Sequence, residues 1–150
     1  MDLIGKTIAQ HRILANLGDG GMGKVYLAEH EAIKRRVAIK VLHRRLSHDK
    51  ETVERFLNEA RAANRVRHSG IVDIHDAGID EELGAYLVME YLDGETLAAR
   101  VTREGLLPVA EVGRIVDAVA SVLEAAHKAG IVHRDLKPAN IFILPDDQSG

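Results

Sequence analysis

Residues 133–140 read His-Arg-Asp-Leu-Lys-Pro-Ala-Asn, which places an acid, basic side chains and an amide within a few positions of one another. Because Pro138 interrupts a helix, this stretch is predicted to be a loop. The carboxylate of Asp135 can accept a proton from an attacking hydroxyl group. The amide oxygen of Asn140 can bind Mg²⁺, and the Lys137 ammonium can hold a phosphate as a point charge. The pattern indicates a phosphoryl-transfer site, with a basic surface loop as the alternative.

The composition of the 150 residues is that of one globular domain, with 46% hydrophobic and 29% charged residues. A net charge of −3 disfavours nucleic acid as a partner, because binding to phosphates requires a basic surface. The absence of cysteine excludes disulfides and thiolate metal sites, and it favours a cytoplasmic location. No apolar run is long enough for a signal peptide or a membrane span, so we expect no membrane segment in this chain.

A glycine-rich segment at residues 18–25 can bring the backbone close to phosphate oxygens. The spacing of Gly18, Gly20 and Gly23 also fits a dinucleotide-binding turn, but that turn opens a helix, whereas a β-branched and aromatic run follows here. A Walker A loop requires a Ser or Thr hydroxyl at the position of Val25. A glycine loop followed by an apolar residue that covers a base, and a plain flexible hairpin, both remain open.

Lys40 lies in an apolar run at residues 36–42 that is predicted to be a strand. A lysine there either protects an edge strand from pairing or is a buried charge that needs an acidic partner. Residues 49–66 predict a helix capped by Asp49, and Glu59 lies on the flank of its apolar face. Glu59 is therefore the candidate partner of Lys40, and a solvated acid is the alternative.

The remaining elements predict one antiparallel sheet followed by helices. Further strands are expected at residues 8–17, 25–28, 71–74, 86–89 and 141–144, with a turn at 81–84. A short helix is expected at residues 96–102, and a long helix from Pro108 to Ala129 with Gly130 as its C-terminal stop. The long helix has an apolar stripe that indicates a core helix, formed by Val112, Ile115, Val116, Val119, Leu123 and Ala126. His68 and His75 have no metal-like companions and are interpreted as structural.

The order of the motifs along the chain resembles that of the protein kinase family, whose catalytic loop reads H-R-D-L-x-x-x-N. The motifs are the glycine loop, then the Val-Ala-Ile-Lys run with Lys40 at its end, then Glu59, and last the loop at residues 133–140. Lys137 and the Gly-Gly-Met-Gly run are similar to bacterial serine/threonine kinases. The resemblance implies an α+β fold with a five-stranded antiparallel N-lobe, one large helix called helix C, and an incomplete helical C-lobe. It implies an N-lobe at about residues 8–90, a hinge at 91–94 and a C-lobe at 95–150.

The resemblance also implies the cofactors ATP and Mg²⁺ and a role for each catalytic residue. Asp135 would orient the substrate hydroxyl and accept its proton, Asn140 would bind Mg²⁺, and Lys137 would steady the γ-phosphate. Lys40, held by Glu59, would place the α- and β-phosphates. The residues that the resemblance assigns to the nucleotide are Leu17, Gly18, Gly20, Gly23, Val25, Ala38, Lys40, Met89, Glu90, Leu92 and Phe142.

Within that set, Val25 and Phe142 would sandwich the adenine, and Met89 would be the gatekeeper. The Glu90 carbonyl and the Leu92 amide would meet the adenine edge. Because backbone groups do this work, the side chains there are weak support, and an ordinary strand exit is the alternative for residues 89–94.

The family's Asp-Phe-Gly, activation loop and later helices have no counterpart in residues 1–150. On this ground we expect a chain cut in a turn at residues 145–150, without activity on its own. We also expect self-association through the uncovered stripe of the long helix. The resemblance implies a protein substrate with Ser or Thr and a cytoplasmic domain, and it leaves room for a membrane anchor beyond residue 150. The alternatives are an inactive fragment that binds nucleotide or docks on a partner, and a structural interaction domain.

Overall fold

A computed structural model describes residues 3–145. The turn expected at residues 145–150 lies outside these residues, apart from Pro145. The chain forms two compact units: the first contains the residues up to Arg65 and Val72–Tyr91, and the second contains Val66–Ile71 and the residues from Leu92 onward. The segment that follows the first helix therefore groups with the second unit.

Within the described residues, the first unit forms a six-stranded antiparallel sheet in the order β1-β2-β3-β4-β6-β5. The strands are β1 (Thr7–Ile8), β2 (His11–Asp19), β3 (Gly23–His30), β4 (Arg36–Leu42), β5 (Ile74–Asp80) and β6 (Gly84–Glu90). The predicted antiparallel sheet is confirmed, with β1 as an added short strand beside β2.

Strand β5 begins at Ile74, where the sequence-based strand was expected to end. The reason is a turn after the first helix, in which the Ile71 amide donates to the His68 carbonyl at 3.0 Å. This turn takes the apolar residues Ile71 and Val72 out of the sheet, so that their hydrophobicity does not mark a strand.

Helix α1 (Lys50–Arg65) begins after Asp49, as predicted. The Asp49 carboxylate accepts a hydrogen bond from the Glu51 amide at 3.3 Å and another from the Thr52 hydroxyl. The Thr52 hydrogen bond is the main reason why the pKa of Asp49 lies below its usual range. An acidic cap that stays ionised also interacts favourably with the positive end of the helix dipole.

The two faces of β4 line two hydrophobic clusters. Val37, Ile39 and Val41 belong to one, with residues of β1–β3 and Val88. Leu42 belongs to the other, where Phe56 and Ala60 of α1 pack with Ala85 and Leu87. Because strand side chains alternate between faces, Lys40 shares the α1 face with Leu42.

The second unit contains α2 (Leu97–Glu104), α3 (Val109–Lys128) and a small ladder of β7 (Glu95–Thr96) with β8 (Phe142–Ile143). The Thr96 hydroxyl caps α2 by accepting from the Ala99 amide at 3.1 Å. Arg100 of α2 pairs with Glu111 of α3 at 2.9 Å. Gly130 follows α3 with a φ of 74°, a conformation that suits its predicted role as the stop.

The apolar stripe of α3, which predicted a core helix, is only partly buried within residues 3–145: Ile115, Val119 and Leu123 are half-buried. Val112 is 42% exposed and Val116 60% exposed, whereas Ala126 is buried. Hydrophobic periodicity marks the face that a helix can bury, and within the described residues the N-terminal part of this face, at Val112 and Val116, remains exposed. None of the described helices has the length and apolar content needed to cross a membrane.

We expect Phe56→Ala to lower the free energy of unfolding by about 3–5 kcal/mol, because Phe56 is fully buried between α1 and the sheet. Ile33→Ala is the control, since Ile33 is 68% exposed in the same unit and should change it by less than about 0.5 kcal/mol. Urea unfolding measures both values. Similar losses in the two variants would contradict this packing.

Candidate active site

The loop at residues 133–140 lies between α3 and β8 in the chain, and local hydrogen bonds within the loop determine its shape. His133 Nδ1 accepts from the Asp135 amide at 3.2 Å, and Arg134 between them has a φ of 62°. Pro138 then opens a 3₁₀ turn, in which the Asn140 amide donates to the Lys137 carbonyl at 2.9 Å. This reversal brings residues five positions apart to the same place.

Asp135, Lys137 and Asn140 form one cluster of side chains. Asn140 Nδ2 donates to the Asp135 backbone carbonyl at 2.8 Å and to Asp135 Oδ2 at 3.0 Å. Lys137 Nζ lies 3.3 Å from Asp135 Oδ1. These hydrogen bonds, that of Lys137 first and that of Asn140 second, hold the pKa of Asp135 below its usual range. The carboxylate is therefore ionised at neutral pH and able to accept a proton.

The cluster also limits what could bind a metal. Asn140 Nδ2 donates to Asp135, and Asn140 Oδ1 is the oxygen that can bind a hard cation. Among residues 3–145, no group of three or more acidic or histidine side chains could hold a metal ion. Among residues 3–145, Asn140 Oδ1 is therefore the candidate Mg²⁺ ligand of this loop, and phosphate oxygens commonly supply further ligands beside a nucleotide.

The glycine hairpin between β2 and β3 combines one constrained glycine with open ones. The Gly20 amide donates to the Gly23 carbonyl at 2.9 Å, which closes the turn. A Cβ atom on Gly23 would lie 2.2 Å from the Val41 carbonyl oxygen, so the sheet itself requires glycine there. A Cβ atom on Gly18 or Gly21 would meet nothing within 4 Å. Internal packing does not explain these two glycines, whereas the close approach of a ligand would.

Lys40 lies on a central strand, because β4 is paired on both sides, with β3 and β6. The interpretation of Lys40 as an edge-strand lysine is therefore wrong. Its ammonium lies 5.6 Å from the centroid of the Phe56 ring, within the range of a cation–π contact. Glu59 is exposed on α1, and no ion pair joins it to Lys40 in the described structure.

The other residues assigned to a nucleotide divide between the two units. Those in the first unit are Leu17, Gly18, Gly20, Gly23, Val25, Ala38, Met89 and Glu90, and those in the second are Leu92 and Phe142. Val25 lies opposite Lys40, and Ala38 lies opposite Met89. The Glu90 carboxylate accepts from the Asp73 amide at 2.7 Å.

Sequence reasoning missed His43 and Arg45, which follow β4 and contact the glycine hairpin. His43 Nε2 lies 2.8 Å from the Gly20 carbonyl oxygen, and Arg45 Nη2 lies 3.2 Å from that of Gly21. The only signal in the sequence is a run of basic residues directly after a predicted strand, which is also typical of a solvated loop.

A family model described as the protein kinase domain matches residues 11–149. The chain is 43% identical over 145 residues to the serine/threonine-protein kinase pkn3 of Myxococcus xanthus. This alignment covers 96% of the present chain and 26% of that protein. It is 43% identical over 142 residues to the serine/threonine-protein kinase PrkC of Bacillus subtilis, with 94% and 22% covered. The crystal structure of the Mycobacterium tuberculosis PknI kinase domain aligns with a TM-score of 0.80 at 36% identity, over 96% of this chain and 60% of that one. The chain thus spans about a quarter of the length of the two curated relatives.

We expect Gly23→Ala to lower the free energy of unfolding by about 1–3 kcal/mol, because the added methyl group would overlap the backbone of β4. Gly21→Ala is the matched control in the same hairpin and should change it by less than about 0.5 kcal/mol. Thermal and urea unfolding test both. Equal destabilisation by the two substitutions would count against the close β3–β4 approach.

Replacing the partners of Asp135 should raise its pKa, more for Lys137→Met than for Asn140→Leu. The folded-state pKa lies below the unfolded one, so ionised Asp135 contributes stability above the unfolded pKa and loses it as pH falls through the folded pKa. Carbon-13 NMR titration of the carboxyl group measures the shift. Lys128→Met, which removes the partner of Glu124, is the control and should leave the Asp135 pKa unchanged. An unchanged pKa in both loop variants would refute the cluster.

Proposed function

The chain belongs to the protein kinase domain family, and on this basis we propose that the protein that contains it transfers the γ-phosphoryl group of ATP to serine or threonine hydroxyls of protein substrates. The observation that carries the proposal is the cluster of Asp135, Lys137 and Asn140. It supplies a proton acceptor, a cation and an amide oxygen within hydrogen-bonding distance of one another. Phosphoryl transfer needs little more than placement and charge stabilisation from such groups.

Asp135 orients the substrate hydroxyl and accepts its proton through its ionised carboxylate. Lys137 and Asn140 favour this ionised form and lower its pKa, so they position the carboxylate and do not make it a stronger base. Lys137 then steadies the transferring phosphoryl group, for which a flexible point charge is suited. Asn140 would hold Mg²⁺ through Oδ1, and the ion, which the family generally uses with ATP, would neutralise phosphate charge when bound. Within the described residues, Asn140 Oδ1 takes no part in the hydrogen bonds of the loop, whereas Asp135 and Lys137 would act through atoms that also contact each other.

Lys40 binds the α- and β-phosphates in this proposal, with Glu59 as its acidic partner. Glu59 follows Phe56 by three residues, so the two side chains lie about 60° apart around α1. The Phe56 ring lies beside the Lys40 ammonium in this structure, so α1 or the two side chains must move for the Glu59 carboxylate to reach Lys40. The half-buried position of Lys40 makes such a partner favourable.

The likeness to the family assigns the remaining residues. Leu17, Val25, Ala38 and Phe142 contact the adenine. The gatekeeper is Met89, and the adenine edge meets the Glu90 carbonyl and the Leu92 amide. The triphosphate lies against the hairpin of Gly18, Gly20 and Gly23. The proposed domain division is an N-lobe at about residues 8–90, a hinge at 91–94 and a C-lobe at 95–150. We propose a cytoplasmic location for this domain and self-association through the apolar stripe of α3.

A catalytically inactive, nucleotide-binding domain is the second candidate, and the absence of an ion pair between Lys40 and Glu59 in the described structure favours it. Transfer of labelled γ-phosphate to a protein substrate separates the two candidates. Transfer establishes the kinase, whereas nucleotide binding without transfer establishes the inactive domain.

In the longer protein that contains this chain, we expect Asp135→Asn to lower kcat by about 10²–10⁴ while ATP affinity is retained, because the amide cannot accept the proton. Asp117→Asn, which changes an exposed carboxylate on α3, is the control and should leave kcat unchanged. Steady-state phosphorylation and ATP titration measure the two quantities. Parallel losses of kcat and ATP affinity would overturn the assigned role of Asp135.

A further inference from the structure

The tip of the glycine hairpin is tied to the segment after β4 through three consecutive carbonyl groups. The Met22 carbonyl accepts from the His43 amide at 2.9 Å. The Gly20 carbonyl accepts from His43 Nε2 at 2.8 Å, and the Gly21 carbonyl accepts from Arg45 Nη2 at 3.2 Å. The hairpin and the segment of His43 and Arg45 belong to the same unit. The orientation of the tip is therefore set by residues outside the hairpin.

The His43 ring is itself held in one tautomer. Its Nε2 faces two acceptors, the Gly20 carbonyl and Asp19 Oδ1, the latter at 3.2 Å. Nε2 must therefore carry the proton. Lys24 Nζ lies 3.3 Å from the other oxygen of Asp19, which fixes the carboxylate that orients the ring. The His43 side chain is only 21% exposed, so this arrangement is partly shielded from water.

Fixing the carbonyls fixes the amides that follow them. In a planar trans peptide the C=O of one residue and the N–H of the next point in opposite directions. With the Gly20 and Gly21 carbonyls directed toward His43 and Arg45, the Gly21 and Met22 amides point away from these side chains. In residues 3–145 neither amide has a hydrogen-bond acceptor, whereas the Gly20 amide is used by the Gly23 carbonyl. Successive free amides of this kind form an anion-binding concavity.

We propose that His43 and Arg45 are positioning residues that hold the Gly21 and Met22 amides ready for the phosphates of ATP. Neither side chain needs to touch the nucleotide, because each acts by binding a carbonyl on the opposite side of the same peptide group. Without them, a tip that contains Gly20 and Gly21 can rotate its peptide planes at little cost. The inference rests on the proposed ATP-dependent function and adds two residues to its site.

The sequence offers matched controls for both residues. His48 lies in the same segment and has no hydrogen bond or ion pair within the described residues, so His48→Leu is the control for His43→Leu. Arg44 precedes Arg45, and its side chain makes no such contact there either, so Arg44→Met is the control for Arg45→Met. His43→Gln tests rescue, because the glutamine amide can donate from nearly the position of Nε2.

The experiment titrates the protein with ATP in the presence of Mg²⁺ and, separately, with adenosine, in a calorimeter. We expect His43→Leu and Arg45→Met each to raise the dissociation constant for ATP by about 10-fold. Adenosine affinity should not change, since it lacks phosphates. His43→Gln, His48→Leu and Arg44→Met should bind ATP like the unmodified protein. In turnover, the KM for ATP should rise more than kcat falls.

Each other outcome has a distinct meaning. Unchanged ATP affinity in both His43→Leu and Arg45→Met would overturn the inference and leave the proposed function standing. An equal loss of ATP and adenosine affinity would overturn it as well, because the two residues would then support the fold rather than the phosphates. If the unmodified protein bound neither ligand, the proposed function would fail, and this inference with it.

Discussion

The pairing of β3 with β4 is the constraint on which the nucleotide-facing part of the molecule depends. Gly23 lies opposite Leu42, so close to the β4 backbone that no side chain fits between them. Two positions along the ladder, the same register sets Val25 opposite Lys40. Because β4 then runs directly into His43, the pairing also brings that residue to the tip of the hairpin. One backbone contact thus relates the glycine tip, the lysine and the residues that orient the tip.

The two faces of β4 perform different tasks because strand side chains alternate. One face supplies Val37, Ile39 and Val41 to a hydrophobic cluster. The other face presents Lys40 toward α1, where its ammonium lies 5.6 Å from the centroid of the Phe56 ring, within the range of a cation–π contact. A lysine on an edge strand would be solvated and mobile, whereas Lys40 is held between two paired strands.

The loop at residues 133–140 in the second unit is organised by charge and local hydrogen bonds. The side chains of Asp135, Lys137 and Asn140 are exposed, so their mutual hydrogen bonds, and not burial, account for the low pKa of Asp135. Such an arrangement is sensitive to ionic strength, since water and salt screen exposed charges. The side-chain contacts among Asp135, Lys137 and Asn140 all lie within the loop.

The sequence alone determined the element types, the cap of α1 and the loop around Asp135, because each depends on residues close in the chain. Pro138, Asp49 and the alternation in β4 act locally. Tertiary structure alone decided that Lys40 lies on a central strand beside Phe56, that Ile71 is in a turn, and that His43 and Arg45 bind the glycine hairpin. These contacts join residues that strand order and helix packing bring together, and periodicity in a sequence carries no information on which neighbour a face will meet. For the same reason, the stripe on α3 indicated a buried face, whereas its exposure depends on which elements are present to cover it.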